Sequence, residues 1–586
     1  MKVIGGKTMA NGFGSLYVGA SGLQTQQNAL NVVANNLANV NTKGYVRQQV
    51  VFADRNYTSF ASASISTQRA GLGVDIGDVV HARDLFLDKA YRSAAGRQAF
   101  YAASYDAVSE VETYLQETQG QAFQTSLADL YEAFSEFAKD PSDAVNQNLV
   151  MQKASLFVSR VSSLNQGLQS YQSTINRKIS DDVDRINELG TKIQELNLQI
   201  QRVEAGKVET AMDLRDQRDL YLDELSSLAK VSYSENVDGI VKVQIDNVEF
   251  VTENNVYQMA MHEDKLTGFQ TPYWPQLSDT ENEDYYYVFD TDNANATNGT
   301  DVGEVKALLL ARGSGHANYL DMAGLSAYDY STGLSNSIMM NTEAELDTLF
   351  HSIVTAINDT LCPNTTYGAV NSNLGGGSIT GVDATGKTWT ITADTKILDE
   401  ANASVGSDGE LPPHELFSRI GCDRYTKVSL ADGSTVYVYN EEDPSDESTC
   451  YTIEDTVINP DIIDEKSLIP YKKQTGEIDY TLGANLERIW DQENYLLNPT
   501  DTTPCTFTDF YIKWIGEVGT VGSVYSTTSD SLQGTADTID NNRQMVVGVS
   551  SDEELTNMIR YQSAYNASSR YINVVSTMID YLLNSL

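Results

Sequence analysis

One short run of acidic and basic residues has the composition for acid–base chemistry. It reads DLRDQRD, from Asp213 to Asp219, and it alternates carboxylates with arginines. Charges three or four residues apart on a helix also pair with each other at the surface. This interpretation is favoured because Leu222, Leu225 and Leu228 continue the run on one helical face. The run therefore predicts a solvated, charged helix and no catalytic cluster.

Other residue types that bind metals or act as nucleophiles are dispersed along the chain. The five histidines form no HExxH motif, since His414-Glu415 lacks a second histidine. The run from Asp290 to Ala294 begins like a calcium loop, but alanine occupies its fifth position. There is no GxSxG elbow and no P-loop. We therefore expect no enzyme, no catalytic residue, no cofactor and no metal. An enzyme carried in the central part of the chain is the alternative from another class.

The cysteines have no metal-binding spacing. They lie far apart and none is in a CxxC pair, which argues against a zinc site. They are Cys362, Cys422, Cys450 and Cys505. Free thiols and a disulfide in the central region both remain open.

Length and charge restrict the class of protein. With 586 residues the chain should form several domains. Its net charge of −42 argues against nucleic-acid partners and against binding to anionic membranes. The acidic residues are unevenly distributed, since no Asp or Glu precedes Asp54. Charge-poor ends can pack closely against copies of themselves. No run of about twenty apolar residues predicts a transmembrane helix, and the first residues lack a convincing secretory signal.

The two ends of the chain carry apolar residues at alternating spacings of three and four, which predicts amphipathic helices. Ser551 and Glu554 predict a capping box before the second helix. We expect the helices to pair as a coiled coil and their seams to form the assembly interface. The seams are thin, so the helices should depend on neighbouring subunits. The interface residues are Leu16, Leu23, Leu30, Leu37, Met558, Tyr565, Ile572, Val575, Ile579 and Leu582.

Between the ends, the sequence pattern mainly predicts helices. Asp140-Pro141 should end one helix, Thr342 with Glu345 should cap another, and Asp246-Asn247 should turn a β-hairpin. The fold class is therefore mainly α with a β-rich insert, arranged as nested, discontinuous domains. These are a terminal coiled-coil domain (9–60 with 545–586), a helical-bundle domain with the hairpin (61–361 with 480–544) and an outer β domain (362–479). Because the β pattern looks self-contained, residues 364–470 are predicted to be removable.

The terminal sequences resemble a known family. SGLQTQQNALNVVANNLANVNTKGY, ending at Tyr45, is similar to the N-terminal signature of bacterial flagellar axial proteins, the rod, hook and hook-associated subunits. Residues 549–583, near the other end of the chain, resemble the matching terminal helix. Arg47-Gln48 and DLRDQRD resemble the hook–filament junction members of that family. In the family pattern the chain would start at Met9.

The resemblance implies a structural function: a ring of subunits that joins hook to filament and is needed for filament assembly. It implies hook protein, the second hook-associated junction protein and an export chaperone as partners. It also implies an extracellular location on the flagellum, reached by type III export without a cleaved signal. Another axial subunit, such as a hook or rod protein, is the nearest alternative. Hook protein is expected to lack DLRDQRD, and flagellin to lack ANNLANVNTKGY.

Overall fold

The structure, a computed structural model, describes residues 7–62, 67–116, 123–206, 210–292, 294–371 and 377–585. It is mostly helical with several small antiparallel sheets. The helices are α1 (Lys7–Ala38), α2 (Leu85–Gln116), α3 (Phe123–Lys139), α4 (Ala144–Glu204), α5 (Met212–Leu228), α6 (Glu304–Arg312), α7 (Tyr319–Met322), α8 (Ala327–Thr332), α9 (Ile338–Leu361), α10 (Tyr367–Val370), α11 (Pro460–Asp464), α12 (Tyr480–Arg488), α13 (Phe507–Val547) and α14 (Ser551–Ser585).

The strands form short antiparallel ladders. β1 pairs with β4, β2 with β3, β8 with β9 and β14 with β17; β5–β6–β7 form a three-stranded sheet, and the largest sheet has the order β10-β13-β16-β15-β11-β12. The strands are β1 (Gln48–Asp54), β2 (Tyr57–Ser62), β3 (Thr67–Gly71), β4 (Val74–His81), β5 (Val231–Glu235), β6 (Val241–Ile245), β7 (Val248–Val251), β8 (Ala260–Glu263), β9 (Gln270–Tyr273), β10 (Asn364–Thr366), β11 (Ile379–Asp383), β12 (Thr388–Ile391), β13 (Lys396–Leu398), β14 (Phe417–Arg419), β15 (Tyr425–Leu430), β16 (Thr435–Tyr439) and β17 (Thr456–Ile458).

The predicted hairpin is present as β6–β7. Its turn residues, Asp246 and Asn247, have φ values of +44° and +69°. Short polar residues tolerate this left-handed region better than other non-glycine residues, and two of them in succession give a tight hairpin turn. β5 adds a third strand that local pattern did not predict.

Two predicted helix starts are wrong, the first by several residues and the second by one. α9 is capped by Ser337, whose hydroxyl accepts a hydrogen bond from the Met340 amide at 3.3 Å and donates to the Ala311 carbonyl at 3.0 Å. Thr342 is buried inside that helix. Ser550 accepts from the Glu553 amide at 3.4 Å at the start of α14, so the predicted Ser551–Glu554 box is not formed. For α9, a contact with another element, which local spacing does not contain, fixes the helix start.

The main core lies between the long helices. α2 packs along α13, and α4 packs against α3, α5 and α9. Large aromatic rings fill the middle: Phe157 stacks on Phe350 with 5.9 Å between centroids, and Trp514 is fully buried. Burial of such side chains contributes about 1.5–3 kcal/mol each, so this region has a core of its own.

The insert divides into a base and an outer sheet. The outer sheet has a separate small core that includes Ile391, Val428 and Val438. The base, in contrast, belongs to the main core of the helices. Asn358 of α9 donates to the Phe417 carbonyl at 2.7 Å and accepts from the Phe417 amide at 3.2 Å. The base is therefore joined to the helices by buried hydrogen bonds as well as by apolar contacts, so the insert is not self-contained in its packing.

This packing changes which part of the insert we expect to be removable. Excision of 377–393, the β11–β12 edge of the outer sheet, should leave the melting temperature of the helical core nearly unchanged. Excision of 364–470 should lower it strongly, because removal of Phe417, Tyr451 and Ile453 opens the main core. Thermal unfolding followed by circular dichroism measures both. Equal melting temperatures for the two variants would contradict this division.

Three acidic residues of α9 are buried, and each holds a different segment. Asp347 accepts from the amides of Tyr319 at 2.9 Å and Ile453 at 2.7 Å. Glu343 accepts from the Ala317 amide at 3.0 Å. Glu345 holds the segment that contains Asn498. One of its oxygens accepts from Asn498 at 3.1 Å, while the other, Oε2, has no hydrogen-bond partner.

Burial controls the protonation of Glu345. The side chain is fully buried, and the carboxylate of Glu517, bound to the same Asn498 amide at 3.3 Å, adds repulsion. Burial first, and then this neighbouring charge, raise the pKa of Glu345 to about 8. At neutral pH this carboxyl therefore carries a proton.

Candidate assembly interface

α1 and α14 run antiparallel and touch along small residues of α1. A β-carbon on Gly19 would lie 2.6 Å from Cγ1 of Ile572, and one on Gly22 would lie 2.9 Å from Oγ of Ser568. Since real β-carbons are essentially never this close, only glycine permits the observed approach. The two ends of the chain are therefore brought side by side, with side chains of α14 packed directly onto glycines of α1.

The predicted leucine seam of α1 lies beside this contact. All four leucines, Leu16, Leu23, Leu30 and Leu37, are half-buried. The buried positions are instead small or polar ones: Ser21, Thr25, Ala29, Val33 and Asn36. The reason is that α1 also packs against the β1–β4 ribbon through side-chain to backbone bonds, for example Thr25 to the Val74 carbonyl at 3.1 Å. Apolar spacing alone could not reveal that contact.

The residues of the predicted α14 seam differ in how deeply they are buried. Val575 is buried and Leu582, near the end of the helix, is exposed. The other four positions, Met558, Tyr565, Ile572 and Ile579, are half-buried. Met558 packs with Tyr561 against Ala29 and Val33 of α1. Within one chain, then, the seam is only partly covered.

A second apolar stripe lies on the opposite face of α14. Val574, Met578 and Tyr581 are 55%, 62% and 76% exposed, at helical spacings of four and three. Together with Leu582 they line a shallow groove. We name these three residues the outer stripe. The predicted interface list contained none of them, although their spacing is visible in the sequence. An exposed apolar face on a helix indicates a contact with another molecule.

Charge pairs tie the base of the helix pair together. The Arg47 guanidinium binds Glu554 at 2.8 Å and Glu553 at 2.8 Å, and Glu554 is buried. The Arg47 amide also donates to the Val547 carbonyl at 2.9 Å. These bonds connect the chain after α1 with the turn between α13 and α14. The sequence showed Arg47 as part of the terminal signature but gave no sign of its partners.

The DLRDQRD run pairs with other elements, so the prediction of a solvated helix with pairs along itself is wrong. Arg215 binds Glu204 at 2.7 Å and Glu235 at 2.6 Å. Arg218, which is 2% exposed, donates to Asn197 at 3.0 Å and to the Gly239 carbonyl at 2.6 Å. The charges of this run therefore connect α5 to neighbouring helices and strands.

The candidates for chemistry do not converge. In the part of the chain that the structure describes, no group of three or more His, Cys, Asp or Glu side chains could hold a metal ion. Residue 293, inside the calcium-like run, lies outside the described residues. All four cysteines are unpaired in the structure, and three of them, Cys362, Cys450 and Cys505, are buried. His414 lies 3.4 Å from both Asp408 and Asp461 in simple pairs. None of the described helices combines the length and apolar composition needed to cross a bilayer.

Comparison with known families matches three parts of the chain. Residues 16–45 match the flagella basal body rod protein model, and residues 546–586 match the C-terminal model of flagellar basal body rod FlgEFG proteins. Residues 108–379 match the helical domain of flagellar hook-associated protein FlgK. The matched parts include most of α1, all of α14 and the helices from α3 to α9.

Curated relatives match over nearly the whole length. Flagellar hook-associated protein 1 of Bacillus subtilis is 24% identical, over 99% of each chain. The protein of the same name from Escherichia coli is 23% identical, over 96% of this chain and 98% of the other. A solved structure of the flagellar hook junction protein FlgK from Burkholderia pseudomallei aligns with a TM-score of 0.46 at 13% identity, covering 78% of this chain and 99% of that one. On the sequence matches, the chain belongs to the family of flagellar hook-associated protein 1.

Proposed function

We infer that this protein is a structural subunit of the bacterial flagellum and forms the junction between hook and filament. The observation that carries this conclusion is that one chain has rod- and hook-type sequences at both ends and the hook-associated helical domain between them. The two relatives that match over nearly their whole length are both named flagellar hook-associated protein 1. The role is mechanical and needs no catalytic residue.

We propose that copies of the chain assemble into a ring through the terminal helices. The outer stripe and the half-buried leucines of α1 supply apolar surface for neighbouring copies. The terminal pair then acts as a coiled coil (9–60 with 545–586), enclosed by the helical domain (61–361 with 480–544), with the insert (362–479) pointing outward. Because the seams are thin, we expect neighbouring copies to add stability to a helix pair that already forms within the free subunit.

The partners follow from the position of such a ring. Hook protein lies below it, the second hook-associated junction protein lies above it, and an export chaperone binds the C-terminal helix before assembly. The subunit is exported by the flagellar type III apparatus without a cleaved signal and is located outside the cell. The charge-poor ends suit close packing in the axis, and the acidic middle suits the exposed surface.

The test is deletion of the gene and complementation. Cells that lack the protein should build hooks without filaments and should release flagellin into the medium, and the wild-type gene should restore filaments. Immunogold labelling with an antibody to the outer sheet should mark one position between hook and filament. Label along the whole hook, or normal filaments in the deletion strain, would overturn the assignment.

A further inference from the structure

One face of α5 carries three acidic residues at helical spacings of three and four: Asp216, Asp219 and Asp223. Their partners come from several parts of the chain, and Asp219 and Asp223 share one of them, Arg92. We name these three residues the acid clamp. Asp216 and Asp219 belong to the DLRDQRD run, and Asp223 follows it. The proposed junction function does not by itself explain why these charges are needed.

The first two members hold the two ends of the β1–β4 ribbon. Asp216 Oδ2 accepts from the Val46 amide at 3.0 Å, two residues before β1 begins. Asp219 binds the guanidinium of Arg83, two residues after β4 ends. The two ribbon ends also meet each other, because the Ala82 amide donates to the Arg47 carbonyl at 3.0 Å. One helical turn of α5 therefore fixes both points at which the ribbon enters and leaves.

The third member holds the helices that carry the core. Asp223 Oδ1 accepts from Arg92 of α2 at 2.6 Å, and its Oδ2 accepts from Arg543 of α13 at 2.7 Å. Arg92 also reaches Asp219 at 3.0 Å. The guanidinium of Arg543 lies over the ring of Tyr91, 4.1 Å from its centroid. The clamp thus joins the ribbon to α2 and α13 through one rigid helix.

Backbone packing makes Asp216 the sensitive point. Gly44, at φ +80°, lies so close to α5 that a β-carbon there would be 2.5 Å from Leu220. The chain passes directly from this contact to the Val46–Asp216 bond. Asp216 is 8% exposed, and its Oδ1 has no hydrogen-bond partner although His81 Nδ1 lies 3.4 Å away. A small displacement of the ribbon would therefore remove the hydrogen bond that this buried carboxyl accepts from Val46.

We propose that the acid clamp fixes the direction in which the terminal helix pair leaves the helical domain, with Asp216 as the positioning residue. The proposal concerns the single subunit, and its use in the ring rests on the function proposed above. A ring closes only if every subunit presents its terminal helices at one angle. A bond that sets this angle is consequently needed even though it touches no partner.

The clamp should respond to pH. Burial raises the pKa of Asp216 to about 7, and burial together with Arg83 and Arg215 lowers the pKa of His81 to about 4. The charged groups that face Asp216 are Arg83, which lowers its pKa, and Asp219 and Asp213 on α5, which raise it; Tyr45 also lies close by. Because the pKa of Asp216 is higher in the folded state, its stabilising contribution is complete at acidic pH and is lost as the pH rises through about 7.

Pulsed dipolar spectroscopy on the purified full chain tests the proposal. Nitroxide labels replace Asn28 on α1 and Gln201 on α4, both exposed, in a background with Cys422→Ser. Wild type should give one narrow distance distribution at about pH 6 and a broader one at about pH 9. Asp216→Asn keeps the acceptor for the Val46 amide, so its distance distribution should stay narrow at both pH values. Asp216→Ala removes the acceptor, and its distribution should be at least twofold broader at both pH values.

The matched control is Asp213→Asn, which changes the same charge in the same run at an exposed position. It should give the narrow wild-type distribution at about pH 6 and should still give a broader one at higher pH. If Asp216→Ala is as narrow as wild type at both pH values, Asp216 does not position the terminal pair. If Asp216→Ala also lowers the melting temperature of the helical core, the Asp216→Asn variant provides the test instead. A distance distribution of Asp216→Asn that broadens at about pH 9 as much as that of wild type would overturn the proposal.

Complementation separates this inference from the proposed function. Asp216→Ala should reduce the number of filaments per cell at least tenfold, and Asp216→Asn should restore them. If wild type itself restores no filaments, the junction function is wrong while the distance measurements still judge the clamp. Normal filaments with Asp216→Ala, together with a broad distribution, would show that the ring does not need this angle.

Discussion

Replacement of Ile572, Val575 and Ile579 together by serine is expected to abolish filament assembly while leaving the melting temperature of the helical core unchanged. Val575 is buried and the other two are half-buried against α1. Full burial of such side chains contributes up to about 3 kcal/mol each. The helical core does not share this contact, because its own apolar cluster contains no residue of α14. The variant should therefore be soluble and folded in the middle, but its terminal helices should separate.

A matched variant on the other face of the same helix separates the two contacts. Val574→Ser, Met578→Ser and Tyr581→Ser together remove the outer stripe and leave the contact with α1 intact. This variant should also fail to build filaments, yet keep wild-type helix content and protease resistance at its ends. Electron microscopy of cells, flagellin in the medium and circular dichroism of the monomer provide the measurements.

Each outcome has a distinct meaning. If the inner variant builds filaments and melts like wild type, the helix pair is not the assembly element. If only the outer variant builds filaments, neighbouring copies do not use the outer stripe. Wild-type ends that are digested at once in the free subunit would contradict a helix pair that forms within one chain.

Glu345→Gln is expected to make the protein more stable than wild type above about pH 8 and no more stable below about pH 5. The pKa of Glu345 is raised to about 8, so the folded chain binds its proton more tightly than the unfolded chain. The stabilising contribution is complete below the unfolded pKa and is lost as the pH rises through about 8. Glutamine resembles the protonated side chain at every pH. The gain should reach a few kcal/mol, since one pKa unit corresponds to about 1.4 kcal/mol.

Urea unfolding at a series of pH values measures this effect. The difference between variant and wild type is the relevant quantity, because Asp347 and Asp216 also have raised pKa values and contribute to the pH dependence of both proteins. Glu345→Ala is the control: it removes the titration but leaves a cavity and unpairs Asn498, so it should be less stable than wild type at acidic pH. A difference between Glu345→Gln and wild type that does not vary with pH would contradict the assignment of a buried proton.

Sequence pattern predicted those parts of the fold whose causes are local. The long helices follow from apolar residues at spacings of three and four, the stop of α3 from Asp140-Pro141, and the hairpin from Asp246-Asn247. It did not predict that α13 continues without a break to Val547, since the polar run at 540–543 resembles a loop. Within that stretch Arg543 binds Asp223 of α5, a contact between residues 320 positions apart that local pattern does not contain.

The interface was harder to predict for a related reason. Hydrophobic spacing indicates which residues of α1 are apolar, but the closest approach to α14 is made by Gly19 and Gly22, which have no apolar side chain. For the acid clamp, the sequence pattern failed to predict contacts that the structure contains. Its charges looked solvated because their partners, such as Arg92 and Arg543, come from distant parts of the chain. Periodicity reports composition along one helix and contains no information about the surface that the helix meets.

The uninterrupted α13 has a mechanical consequence. Its 41 residues form a rod of about 60 Å that begins beside the buried aromatic core and is separated from α14 by a short turn. The other connection to the terminal pair passes through the extended β1–β4 ribbon and the loops at its ends. A twisting load on the terminal helices will therefore be carried mainly by the stiff C-terminal connection, and the two-stranded ribbon, which the acid clamp holds at its ends, will carry the smaller part. In a rotating appendage, torque would enter the body of each subunit along α13, and the aromatic residues at its far end would be the anchor that resists it.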